Sequence, residues 1–252
     1  MVKICIIGGG NVAFHLTQQF LKSKNIELIQ LYNRSIESII TFKNKVIVTN
    51  DINKLADADV YIIAVSDNVI QDISNLIPFK NKLVVHTSGS LPMESLSNKN
   101  RKGVFYPLQS FSKSKEVDFL EIPICIEAEN EKDLKLLEQI ASVLTQKIYK
   151  ISSAQRQYLH VAAVFVNNFV NHLYYIGHHI CAEHHMPFEI LHPLIIETAQ
   201  KIKDLDPLLA QTGPAKRNDT ITIENHLKLL TTREKEIYQL LTSSINDVYK
   251  NK

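Results

Sequence analysis

The sequence predicts a doubly wound α/β domain on a mostly parallel sheet, followed by an all-α domain, and three observations carry that expectation. Through residue 151, short and continuously apolar β-branched runs alternate with helical patterns, as strands covered on both faces require. The first run ends in a glycine cluster, Gly8-Gly9-Gly10, that leads at once into a helical pattern. After Ser152 no convincing strand remains, only long helical periodicities. The chain has 252 residues, 45% of them hydrophobic, which suffices for a core in each of two domains, expected at 1–151 and 152–252.

Taken in order, residues 3–7, 27–32, 46–48, 60–65 and 83–86 read as strands, with helices or turns between them. Residues 102–105 and 122–127 extend the sheet. Leu134, Leu137, Ile140, Ala141 and Leu144 set a helical period over 131–146, and a short strand follows at 147–151. A serine-capped helix is expected from 154 to 183. Pro187 and Pro193 mark the next helix start, while Asp206-Pro207 and Gly213-Pro214 bracket an irregular segment before the last helices.

Composition excludes several classes. The 28 basic and 26 acidic residues leave a net charge of +2, too weak a field to argue for nucleic acid or an anionic membrane. No apolar run approaches the length of a bilayer span, and the N-terminus lacks the pattern of a signal peptide, so a cytoplasmic protein is expected. Cys5, Cys125 and Cys181 are odd in number and set among apolar neighbours, which suits free thiols in a reducing compartment. The histidines between His172 and His192 lack paired cysteines or His-Glu-x-x-His spacing, so no metal is expected.

Gly8-x-Gly10-x-x-Ala13 joins the first strand to the first helix. In that setting small residues allow a tight turn, close approach of a pyrophosphate to the main chain and close packing of helix on strand, with the phosphates at the positive helix N-terminus. Gly8, Gly10, Asn11, Val12 and Ala13 are therefore expected to bind a dinucleotide. An NAD site places an acid at the end of the second strand to hold the ribose 2′-hydroxyl. Here that strand ends in Asn33-Arg34-Ser35, with a guanidinium suited to a 2′-phosphate, so NADP is the expected cofactor.

The next two strand ends, Ala64-Val65-Ser66-Asp67 and His86-Thr87-Ser88-Gly89-Ser90, should flank the nicotinamide, since ligands of open α/β sheets bind outside carboxyl ends. Ala64, Val65, Ser66 and Asp67 are read as cofactor neighbours and Ser88 and Gly89 as substrate neighbours, although Asp67 and Ser90 could equally cap helices. His86 could donate a proton or be structural. In the helical half, His160, Val164 and Asn168 recur every four residues on one helix face, and His160 and Asn168 are the catalytic candidates. Thr212, Arg217 and Asp219 could hold the polar end of a substrate. Their plainer alternative is a helix entry, with Asp219 or Thr220 as the cap.

Gly8-Gly9-Gly10-Asn11-Val12-Ala13, Asn33-Arg34-Ser35, Ala64-Val65-Ser66-Asp67, His86-Thr87-Ser88-Gly89-Ser90, Pro107-Leu108-Gln109-Ser110-Phe111 and Thr212-Gly213-Pro214-Ala215 together resemble one group. It is the bacterial oxidoreductases that couple a Rossmann-like domain to a helical C-terminal domain of unassigned function. They are related to pyrroline-5-carboxylate reductase, deazaflavin-dependent NADP oxidoreductase and, more distantly, 6-phosphogluconate dehydrogenase. The resemblance covers essentially the whole chain. It implies a homodimer formed through the helical domain and supplies no substrate; a small molecule is the expected partner, with Gln109 read as a substrate neighbour. The 6-phosphogluconate-type enzymes use a Lys and an Asn four residues apart; with Asn168 in the Asn place, Val164 occupies the Lys place, and Tyr106 stands where the group usually has His. The expectation is an NADP-dependent oxidoreductase acting on a small carbonyl, imine or hydroxy compound. Its alternatives are a non-catalytic NADP(H)-binding redox sensor or partner-binding module and a reductase passing hydride to a flavin or deazaflavin.

Overall fold

The structure, a computed structural model, describes residues 1–250. Eight strands, β1 (Val2–Ile7), β2 (Ile26–Tyr32), β3 (Ile47–Thr49), β4 (Val60–Ile63), β5 (Leu83–His86), β6 (Arg101–Pro107), β7 (Ile124–Ala128) and β8 (Ile148–Lys150), form one sheet. Their order is β3-β2-β1-β4-β5-β6-β7-β8, with every pair parallel except β6 with β7. The chain reverses from β1 to β4, so the carboxyl ends of these two strands open a crevice where their connections diverge to opposite sides.

Burial of both sheet faces explains why the strands read as unbroken apolar runs. Ile4, Ile6, Ile62 and Val85 face Leu16 and Phe20 of α1 (Asn11–Phe20) and Leu137, Ile140 and Ala141 of a second long helix. Cys5, Ile7, Tyr61, Ile63 and Val84 face Ile70, Ile77 and Leu96 on the other side. The intervening helices are α2 (Ile70–Leu76) and α3 (Glu131–Ser142). Asn130 caps α3 by accepting the Asp133 amide at 2.9 Å. Full burial of each of these aliphatic side chains contributes about 1.5–3 kcal/mol.

Two compact units divide the chain, Met1–Val164 and the residues from Phe165 onward. The first includes α4 (Ser153–Ala163), which starts at a capping box of Ser152 and Gln155. Arg156, wholly buried, secures α4: its Nη1 donates to Glu127 at 2.6 Å, and its Nη2 to the Leu91 carbonyl at 2.5 Å and to Ser153 Oγ at 3.1 Å. One guanidinium thus joins α4, β7 and the loop after β5 through two separate nitrogens, a spread of donors that a lysine's ammonium does not have.

The helix expected over 154–183 is present but not uniform. A π-helical turn, Val164–Phe169, follows α4 and precedes α5 (Val170–Glu183). The second unit continues with α6 (His192–Asp204), α7 (Pro207–Ala210), α8 (Thr220–Leu229) and α9 (Thr232–Tyr249). Pro193 lies in the first turn of α6 and Pro207 opens α7, where a missing amide hydrogen costs nothing. Among the described residues of this unit only Cys181 and Ala215 are buried. No helix of the described residues is long and apolar enough to cross a membrane.

Candidate functional site

The first unit gathers its chemistry at the carboxyl ends of the parallel strands. Gly8 ends β1 with φ +139°, and its amide donates to the Tyr32 carbonyl at 2.7 Å. A Cβ there would stand 2.1 Å from the Ala64 carbonyl oxygen, so only glycine lets the β1 and β4 ends run side by side. Gly10 is the N-cap of α1 and offers no side chain to cap it. Nothing lies within 4 Å of where its Cβ would be. The first helical bond runs from Phe14 to Gly10, so the amides of Asn11, Val12 and Ala13 find no acceptor among the described residues. An open glycine before unpaired amides fits a pyrophosphate. The side chain of Asn11 has another partner, donating to the Phe111 carbonyl at 2.9 Å.

At the end of β2, Arg34 is exposed and makes no hydrogen bond or ion pair among the described residues, which leaves its guanidinium free for a phosphate. Asn33 donates its side-chain amide to the Ser35 carbonyl at 2.9 Å. Ser35 is less free than its place in the motif suggests, because its hydroxyl donates to Glu37 at 2.6 Å. That bond holds the exposed Glu37 carboxyl below its usual range. A 2′-phosphate here would compete with a carboxylate that the strand-end pattern did not bring out.

The ends of β4, β5 and β6 form a hydrogen-bonded cluster. Ser66 and Asp67 are exposed after Ala64 and Val65, and the Asp67 carboxylate accepts the Ser90 hydroxyl rather than capping a helix. The Ser88 hydroxyl accepts the amides of Ser90 and Leu91 at 3.1 and 3.0 Å, which folds the loop tightly, and Gln157 of α4 donates to the Ser90 carbonyl at 2.9 Å. His86 is fully buried beneath this loop; its Nδ1 accepts the Ser88 amide at 3.1 Å and its Nε2 lies 3.3 Å from the Pro92 carbonyl. The two contacts together specify the neutral ring protonated on Nε2. Burial, reinforced by the Arg156 charge, correspondingly pushes His86 down to about 4. His86 is thus a structural histidine and no acid at neutral pH.

Next to this loop lies a pair that joins strand and helix: the Tyr106 hydroxyl of β6 is 3.3 Å from His160 Nδ1 of α4. Burial pushes the Tyr106 phenol up to about 12, so it keeps its proton and can donate to Nδ1. Gly89 abuts both rings; a Cβ there would come within 2.6 Å of His160 Nδ1 and 2.8 Å of Tyr106 Cζ. Gln109, just beyond β6, is exposed and turns back to accept the Ser110 amide at 2.7 Å.

The other expected residues belong to the second unit. Asn168 is exposed in the π-helical turn, where the four-residue α period that linked it with His160 and Val164 no longer runs. Thr212 and Arg217 are exposed. Asp219 caps α8, accepting the Thr222 amide at 3.1 Å and hydroxyl at 2.7 Å, which holds its carboxyl below the usual range. Among the described residues no three His, Cys, Asp or Glu side chains gather as a metal would require, and the three cysteines are buried and unpaired. Two surface cavities, of about 300 and 570 Å³, open at the amino-terminal edge of the sheet, beside Val2 and Asn25 and beside Asp59 and Lys82. They lie away from this cluster, and two of the cations lining the second are already paired, Arg101 with Asp133 and Lys82 with Asp57.

A parallel core ordered 3-2-1-4-5-6, with an open glycine turn at its switch point, defines a Rossmann-like dinucleotide-binding protein. Residues 3–89 match the family described as NADP oxidoreductase coenzyme F420-dependent, and residues 122–245 match a domain of unknown function, DUF2520. The structure superposes on a Bacteroides fragilis protein, provisionally described as an NADP oxidoreductase, with a TM-score of 0.90 at 38% identity over 98% of both chains. At that identity and coverage the chain belongs to the same family, an NADP oxidoreductase domain followed by a DUF2520 domain. A Thermotoga maritima protein shares the fold at 22% identity, with 98% of both chains covered and a TM-score of 0.74. A reductive aminase from Aspergillus terreus, solved with NADPH and ethyl levulinate, does so at 14% identity, with 100% of this chain and 94% of that one covered and a TM-score of 0.74. No curated protein matches the sequence. NADP is the dinucleotide named for the matched family, in agreement with the expected cofactor.

Proposed function

We propose that the protein is an NADP-dependent oxidoreductase that moves hydride between the nicotinamide and a small carbonyl, imine or hydroxy compound. The observation that carries this reading is the Tyr106–His160 pair against Gly89, on the same sheet edge as the open glycine turn. Residues 8–13 and 33–35 hold the dinucleotide, which when bound supplies or accepts the hydride. The chain's own task is to position the substrate and manage a proton. Tyr106 donates to His160 Nδ1 and fixes the ring, so that Nε2–H can polarise the substrate oxygen or nitrogen and deliver its proton as hydride arrives. The tight turn held by Ser88 brings the backbone close to that ring without a side chain at Gly89. Asn168, Thr212, Arg217 and Gln109 are the remaining polar candidates for the substrate.

A homodimer is part of the same proposal. The second unit leaves Phe165, Val166, Ile190, Leu209, Ile221, Leu229 and Leu240 more than half exposed, and two buried residues cannot hold a helical unit of this size. A second copy of the same helices supplies the missing apolar partner. Three buried, unpaired cysteines suit a reducing cytoplasm, where such a protein would work.

Oxidation of NADPH against a panel of small imines and keto acids tests the activity. A deazaflavin joins the panel because the matched family is described as F420-dependent. Turnover that falls about 100-fold in His160→Ala and less in Tyr106→Phe is the expected outcome. The sensor reading is favoured by Val164, which stands where the 6-phosphogluconate-type enzymes carry lysine. Tight binding without turnover across the whole panel would select it.

A further inference from the structure

We infer that Lys113 is a phosphate-binding residue of the dinucleotide site, carried to the pyrophosphate position by a strap, residues 111–113, laid across the first turn of α1. The inference rests on the NADP reading above and adds a cation that the glycine motif does not contain. Three hydrogen bonds fasten the strap: Asn11 Nδ2 donates to the Phe111 carbonyl at 2.9 Å, His15 Nε2 lies 2.8 Å from the Ser112 carbonyl, and Lys113 Nζ donates to the Gly9 carbonyl at 2.8 Å. Ring packing adds to them, with Phe111 5.2 Å from His15 and 5.9 Å from Phe119. The Lys113 ammonium also stands 5.6 Å from the centre of the Phe14 ring.

An exposed lysine in a serine-rich loop gains little by ordering its four-carbon chain, because water solvates the ammonium equally well. This one is nonetheless held over Gly9, with two of its three N–H groups still unused. The residue whose carbonyl it holds, Gly9, leads straight into the open face of Gly10 and the unpaired amides of Asn11, Val12 and Ala13. A helix N-terminus contributes about half a positive charge, whereas a pyrophosphate carries about two negative ones. Lys113 is the cation that brings the two closer to balance. The strap begins beyond the carboxyl end of β6, three strands away from the glycine turn in the sheet, so its contribution is tertiary.

The test is a fluorescence titration of wild type, Lys113→Met, Lys113→Arg and Arg34→Ala with NADPH and with NADH. Lys113→Met is expected to weaken both dinucleotides by about 10-fold and to flatten the salt dependence of binding, while Lys113→Arg retains most of the affinity. Arg34→Ala should weaken NADPH alone. Unchanged binding in Lys113→Met would overturn the inference and leave the cofactor reading intact. A loss confined to NADPH would also overturn it, since the ammonium would then serve the 2′-phosphate. Wild type that binds neither dinucleotide would remove both readings together.

Discussion

His86 shows how one side chain couples the site to stability. Folding lowers its pKa from 6.5 to about 4, so between those values the unfolded chain binds more protons than the folded one. The stabilising contribution is therefore complete above about pH 6.5 and is lost as the pH falls toward 4, by about 3 kcal/mol in all. Urea denaturation of wild type and His86→Gln at half-unit steps from pH 7 to 4.5 measures this. Glutamine can keep both the Ser88 and the Pro92 contacts without titrating, so its stability should fall less steeply with acid; parallel curves would contradict the assignment. Tyr106 is the complementary case, a half-buried phenol pushed up to about 12, which stays protonated at neutral pH.

At the scale of elements, the loop after β5 is where geometry is tightest. Gly89 has no unusual backbone angle, yet a methyl group there would collide with the rings of both His160 and Tyr106. Those rings, not the main chain, would have to move. Gly89→Ala is accordingly expected to fold, to bind NADPH within about 2-fold of wild type and to lose about 10- to 100-fold in kcat, because small displacements of a reacting group are that costly. Equal kcat in the variant would separate the Tyr106–His160 pair from the chemistry. The strap on α1 is a second element-level device, to which the Asn11 side chain is tethered through the Phe111 carbonyl.

For the whole molecule, the contrast between the two units is what supports the proposed dimer. The sheet unit buries a continuous aliphatic core on both faces of its strands, whereas the helical unit leaves Val166, Ile221 and Leu240 each over 70% exposed. Isolated amphipathic helices with so little buried surface are marginal in water. Sedimentation of the full chain is expected to give a dimer at micromolar concentration, and Leu240→Glu combined with Ile221→Glu should shift it toward monomer with a lower melting temperature. A wild-type monomer of undiminished stability would contradict this.

Much of this was legible in the sequence because it depended on local rules. Continuous apolar runs announced strands buried on both faces, Gly8-x-Gly10-x-x-Ala13 announced the turn, and the absence of an acid beside Arg34 announced NADP. The same local reading covered the change from α/β to all-α grammar after Ser152. What it could not reach were relations between distant segments. Lys113 over Gly9, Tyr106 against His160 and Arg156 beneath Leu91 join residues 104, 54 and 65 positions apart. A rule that ligands gather beyond every parallel strand end would have drawn attention to the serine-lysine loop after β6, but not to the turn it covers. Even Glu37, only two residues from Ser35, was hidden, because which oxygen a hydroxyl selects depends on the path of the backbone between them. Sequence pattern determined the fold class and the cofactor of this protein. Tertiary packing decided which side chains meet at the strand ends, since close approach is set by the three-dimensional course of the chain and not by spacing along it.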